Sequence, residues 1–273
     1  MIESFALKLR FEGEQIDKYG LGLYDGSASF HGFAKALQLT TYAFLNDEAV
    51  IRATALKGAA LSFSAPRRGS VVIDILARFT RKPKTAPLNA DAFYDFTRVA
   101  LERATGNVDV SPNTASVEKM LSEDEPFFDE LAEKLEGSLQ QAHRSIDTED
   151  VVVSLERPRS KLLTFNQQTS EWVHTRDEDP VIREFKGNMT RFNTQTGNGR
   201  AYIKKIKKIV PVRKSDSFNQ SNKGLLTWSL HGDNLSLDKD LIFIGRKIES
   251  ASGETKRIII DDCQVAKPKA KVS

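Results

Sequence analysis

Up to about residue 147 the chain carries long apolar stripes of helical period, and from Val151 onward it breaks into short strand-like runs divided by polar turns. At 273 residues it is long enough for two cores, so this change of period predicts two modules with a boundary between Asp147 and Leu162.

The first module opens on a strand. Phe5, Leu7, Leu9 and Phe11 alternate with Lys8, Arg10 and Glu12, the period of two that a half-buried strand requires. After a Gly-rich passage, Ser27 or Ser29 is placed to cap a helix reaching Asn46, with Phe30, Phe33, Ala34, Leu37, Thr41, Phe44 and Leu45 on one stripe. Residues 61–65 and 70–79 read as a hairpin about Pro66, Arg67, Arg68 and Gly69. A helix over 89–104 is capped by Asn89 and ended by Gly106. A helical block over 111–146 has Pro126 in the first turn of its longer member. Its exposed side is acidic, with Glu123, Asp124, Glu125, Asp129, Glu130, Glu133 and Glu136.

The second module reads as strands over 161–165, 172–175, 181–192, 200–206, 209–212, 241–248 and 257–260, with a short helix over 224–230. The loop from Asn193 to Gly199 and the pair Ser252 and Gly253 are turn chemistry. Three strands, a break, then two strands is the chain order of a small barrel, OB-like or SH3-like. The expected fold is therefore α+β: an N-terminal sheet with packed helices over 1–155, a basic barrel over 162–264 and a disordered basic tail over 265–273.

Charge divides along the same line. Residues 1–160 hold 19 Lys and Arg against 24 Asp and Glu, while residues 161–273 hold 21 against 13. The lone Cys263 forbids an intrachain disulfide, no leader opens the chain and no apolar run is long enough for a membrane helix, so the expected setting is cytoplasmic.

Residues 200–214 concentrate the basic charge, with seven Lys and Arg and no acid. Arg191, Arg200, Tyr202, Lys204, Lys205, Lys207, Lys208, Arg213 and Lys214 form a candidate nucleic-acid-binding set, since lysines attract the backbone while Tyr202 and Phe192 offer faces for unstacked bases. Lysines on a sheet edge also block aggregation, and both readings stand on the sequence alone. Arg67 and Arg68 at the predicted hairpin tip are a secondary phosphate contact.

Catalytic signals are thin. His174, Asp177, Glu178 and Asp179 lack the spacing of a calcium loop and read as a solvated turn, as do Asp233, Asp238 and Asp240, and Asp261 and Asp262. Glu184 and Lys186 resemble half of a metal-dependent nuclease core but lack the earlier Asp. Ser27 and Ser29 sit in no nucleophile elbow, His31 is expected to pack on the first helix, His143 and His231 have no neighbouring ligand types, and no phosphate-binding Gly-rich loop is present. No cofactor is expected.

Several runs carry a resemblance: Leu9, Arg10 and Phe11; Gly22 to Asp25; Gly32 to Leu37; Lys57 to Ala59; Ala65 to Ser70; then Arg191 to Asn193 and Thr196 to Arg200. Together they resemble a family of bacterial proteins of unassigned activity that join an α/β domain to a small barrel and are linked to mobile elements or anti-phage defence. The resemblance implies a setting and names no catalytic residue. The expected function is non-catalytic binding of nucleic acid or another polyanion. The alternatives are an oligomeric interaction or phage-sensing module, with acidic helix and basic barrel meeting between protomers, and a metal-dependent nuclease.

Overall fold

A computed structural model describes residues 2–53, 55–64, 71–174, 181–234 and 239–266. The chain forms two compact units, Met1–His174 and Thr175–Ser273.

The first unit contains, in chain order, β1 (Glu3–Glu12), α1 (Glu14–Tyr19), α2 (Leu23–Asn46), β2 (Ala59–Phe63) and β3 (Val71–Phe79). These are followed by α3 (Ala90–Ala104), α4 (Ala115–Glu123), α5 (Glu125–Ala142), α6 (Arg144–Glu149), β4 (Val152–Arg157), β5 (Ser160–Phe165) and α7 (Gln167–Val173). The strands form one antiparallel sheet in the order β2-β3-β1-β4-β5.

Alternation in β1 buries Phe5, Leu7, Leu9 and Phe11 beneath the helices. Rings do much of the packing: Phe5 stacks on Phe93 of α3 at 5.5 Å, and Phe44 of α2 meets Phe79 of β3 at 6.1 Å. The opposite face stays polar, with Arg10 bonded to Glu156 at 2.9 Å and Lys8 4.0 Å from Asp74.

The long helix α2 starts before either expected capping serine. Its N-cap is Gly22, whose N–H donates to the Glu149 carboxylate at 3.1 Å. Ser29 is instead buried, accepting from Ser145 N at 2.8 Å and Ser145 Oγ at 2.9 Å. One turn later α2 and α5 approach so closely that a Cβ on Gly32 would lie 2.2 Å from Ala142 N. Asn89 caps α3 as expected, accepting from Ala92 N at 2.9 Å.

The expected module boundary needs correction. The run over 161–165 is not a barrel strand, because β5 pairs with β4 and completes the first sheet. Residues 172–175 are not a strand either: Asn166 and Thr169 form a reciprocal capping box that starts α7. That box was legible as a polar pair three residues apart, and the apolar Trp172 and Val173 masked it.

The second unit contains β6 (Arg183–Phe192), β7 (Asn198–Ile203), β8 (Lys208–Lys214), α8 (Lys223–Asn234), β9 (Leu241–Glu249) and β10 (Thr255–Val265). The strands close into a barrel in the order β10-β8-β7-β6-β9, with β8 and β10 parallel and the other neighbours antiparallel. Met189, Ala201, Ile203, Val210, Val212, Phe243, Ile258 and Ile260 fill it. Leu226 of α8 joins that core, and Ser229 Oγ accepts from Met189 N at 3.1 Å while donating to Lys239 O at 2.9 Å. The expected turns are present, with Gly197 at φ 79° and Gly253 at φ 86°.

Candidate nucleic-acid interface

The β7–β8 hairpin sorts its residues by alternation. Ala201 faces Val210 inside the barrel, so the neighbouring pairs Arg200 with Pro211 and Tyr202 with Ile209 face outward. Asn198 with Arg213 extends the same outer row.

On β6 a bulge decides the outcome. Strict alternation from the interior Met189 would put Arg191 inside and Phe192 outside. The register shift between Met189 and Arg191 reverses this, pairing Arg191 with Arg200 and Phe192 with Gly199. Phe192 therefore packs on the barrel core and does not supply the expected stacking face. Arg191, Arg200 and Arg213 share the outer face, although Arg200 is only 4% exposed and acts as part of the packed structure.

Lys204, Lys205, Ile206 and Lys207 make the turn, which closes through Lys207 N to Ile203 O at 2.9 Å, while Lys204 N donates to Lys186 O of β6 at 2.9 Å. Lys207 adopts φ 53°, a left-handed conformation that residues other than Gly, Asn and Asp rarely take. The lysines divide by role. Lys204 pairs with the Asp240 carboxylate, which is 8% exposed and also lies 3.5 Å from Lys186. Lys205, Lys207 and Lys208 are exposed and form no ion pair among the described residues. Ile206 and Ile209 stand among them, 39% and 47% exposed. Composition alone does not separate them from core isoleucines. The signal lies in the interior Val210 and Val212, which force Ile209 outward.

Lys214 is not part of this cluster. It lies at the opposite end of β8, six residues and about 20 Å along the strand from Lys208. Its ammonium sits 5.4 Å above the Phe218 ring. The nine expected residues thus fall into an arginine-bearing outer face, a lysine turn with one member neutralised, and one distant lysine. Arg67 and Arg68 lie outside the described residues.

The other candidates are engaged elsewhere. Among the described residues, no three His, Cys, Asp or Glu side chains converge on a metal-sized space. Glu184 is exposed on β6, and Lys186 beside it is committed to Asp240. Asp233 accepts from Asn188 at 2.8 Å, Asp262 from Asn222 at 2.7 Å, and Asp261 lies 3.7 Å from Arg246. Asp177, Glu178, Asp179 and Asp238 lie outside the described residues.

His174 rests on α7, with Nδ1 2.9 Å from Ser170 O and 3.1 Å from Ser170 Oγ. Ser170 Oγ donates to Asp147 at 2.5 Å, so its proton is directed at that carboxylate and not at His174. His143 is buried between Leu139 O at 2.7 Å and Thr169 Oγ1 at 2.8 Å, and burial lowers its pKa to about 4. Cys263 is buried in the barrel core, and that burial pushes its thiol up to about 12. No helix among the described residues is long and apolar enough to cross a membrane.

Comparison of the chain with protein-family models, with curated proteins and with solved structures finds no match.

Proposed function

We propose that the barrel binds single-stranded nucleic acid, or a polyanion of similar charge spacing, over the turn that joins β7 and β8 and the exposed start of β8 beside it. The observation that carries this reading is the set Lys205, Lys207 and Lys208, exposed and without an ion pair among the described residues, interleaved with exposed Ile206 and Ile209 and adjoining Tyr202. Ammonium groups satisfy phosphates, and the apolar surfaces between them suit bases that are not already stacked in a duplex.

The barrel's connectivity supports the same reading. Its first strand closes on the fourth, its third runs parallel to the fifth, and a helix separates the third from the fourth. That is the order of an OB-type barrel, in which the second and third strands commonly form the nucleic-acid face. No reaction is assigned, and the role is that of an accessory binding protein. A setting beside mobile elements or anti-phage defence genes belongs to the same proposal.

The test is fluorescence anisotropy with labelled single- and double-stranded DNA and RNA at low salt. The wild type binds single strands more tightly than duplex, and changing Lys204, Lys205, Lys207 and Lys208 to Glu abolishes binding. Undetectable binding to all four probes, or unchanged binding by that variant, refutes the proposal.

A further inference from the structure

The first unit carries a basic hollow that the barrel reading does not use. It is an open depression of about 540 Å³ beside the tip of the β4–β5 hairpin, with Lys8, Asp74, Glu156, Arg157, Arg159 and Lys161 in its wall. Four cations face two carboxylates there, in a unit whose sequence holds 20 Lys and Arg against 25 Asp and Glu. Local and overall charge therefore have opposite signs.

The two carboxylates are already engaged: Arg10 Nε donates to Glu156 at 2.9 Å, and Lys8 lies 4.0 Å from Asp74. Arg157 is held in place, donating from Nε to Ser160 Oγ at 2.8 Å, pairing with the exposed Asp91 carboxylate at 3.5 Å and lying 5.9 Å over the Tyr94 ring. Arg159 and Lys161 are different. Both are exposed, and neither forms an ion pair or hydrogen bond through its side chain among the described residues.

The backbone supplies an independent observation. Arg157 pairs with Ser160 across a two-residue turn in which Pro158 comes first and Arg159 second, with φ 71° at Arg159. This is the pattern of a type II turn, whose second central position favours Gly or Asn. Among the described residues, four other than glycine have positive φ. Asp47 and Asp150 close helices and are of a type that tolerates the conformation; Arg159 and Lys207 stand at hairpin tips and are cations. An L residue with a Cβ costs about 1 kcal/mol more than Gly in such a conformation, so Arg159 occupies a position that disfavours it.

We infer that this hollow binds a small multivalent phosphate, a diphosphate or its ester, with Arg159 and Lys161 as the principal contacts and Arg157 and Lys8 completing the charge. Its size suits a small ligand, and a guanidinium fork matches phosphate oxygens two at a time. The wall contains no aromatic side chain on which a base could stack, so recognition rests on the phosphates.

Isothermal titration of the full chain at low ionic strength with inorganic pyrophosphate, and separately with ADP, tests the inference. Pyrophosphate binds saturably to the wild type, and the Arg159→Gly, Lys161→Gln double variant loses at least tenfold in affinity. Gly suits the turn, so the fold survives the change, which circular dichroism checks. Equal binding of ADP identifies the diphosphate as the recognised unit, and tighter ADP binding identifies a nucleoside diphosphate. A barrel variant with Lys205, Lys207 and Lys208 changed to Gln retains pyrophosphate affinity. No saturable binding, unchanged affinity in the double variant, or a loss that follows the barrel variant instead would overturn the inference. Because oligonucleotide binding is read separately, either proposal can fail without the other.

Discussion

Changing Lys205, Lys207 and Lys208 together to Gln removes three unpaired positive charges from the β7–β8 turn while leaving the Lys204 pair with Asp240 intact. Each lysine that neutralises one phosphate of a single strand adds about −0.7 to the slope of log K against log salt, so the three together contribute about −2. A slope of that size weakens binding about 20-fold between 50 and 200 mM salt. In the triple variant this part of the salt dependence disappears, and the two affinity curves converge as salt rises. Folding stability changes by less than about 0.5 kcal/mol, because the side chains are exposed and touch no described partner. Anisotropy titrations of a labelled oligothymidine at four salt concentrations, with urea unfolding in parallel, measure both quantities. An unchanged slope in the variant, or a slope lost only together with the fold, would show that the turn is not the contact surface.

Three other outcomes follow from the same geometry. Asp240→Asn removes the carboxylate shared by Lys186 and Lys204, so oligonucleotide affinity at low salt rises about tenfold while the barrel becomes less stable; unchanged or weaker binding with the barrel intact would show that these lysines cannot reach the ligand. His143 is buried with its pKa lowered to about 4, so the unfolded chain binds a proton that the folded chain refuses between pH 6.5 and 4. Stability from this group is complete above pH 6.5 and falls by about 1–2 kcal/mol as pH drops to 5, a fall that urea titrations should find absent in His143→Gln. Arg103 is 2% exposed and bonds Asp129 at 2.5 Å, Glu125 at 3.3 Å and Val108 O, so Arg103→Ala should cost about 3–5 kcal/mol by breaking a buried ion-pair and hydrogen-bond network. A cost below about 1 kcal/mol would mean that water replaces the guanidinium.

Local pattern alone made much of this architecture legible. The alternation at Phe5, Leu7, Leu9 and Phe11, the stripe of α2, the Asn89 cap and the Asn193 to Gly199 turn each arise from residues within a few positions of one another. Such signals fix element type because side-chain period and turn chemistry are set by neighbours along the chain. The two modules and the barrel's chain order were readable for the same reason.

What needed the tertiary structure was every outcome that depends on a distant partner. The run over 161–165 reads as a strand but cannot say which sheet it joins, and pairing with β4 assigns it to the first sheet. The basic run over 200–214 states its charge, but not that Asp240, 36 residues beyond Lys204, neutralises one lysine, nor that a bulge on β6 turns Arg191 outward and Phe192 inward. The hollow beside the β4–β5 turn exists only because Lys8 and Asp74 arrive from β1 and β3. Charge and periodicity are written residue by residue; the electrostatic field at a surface is a sum over groups that folding alone brings together.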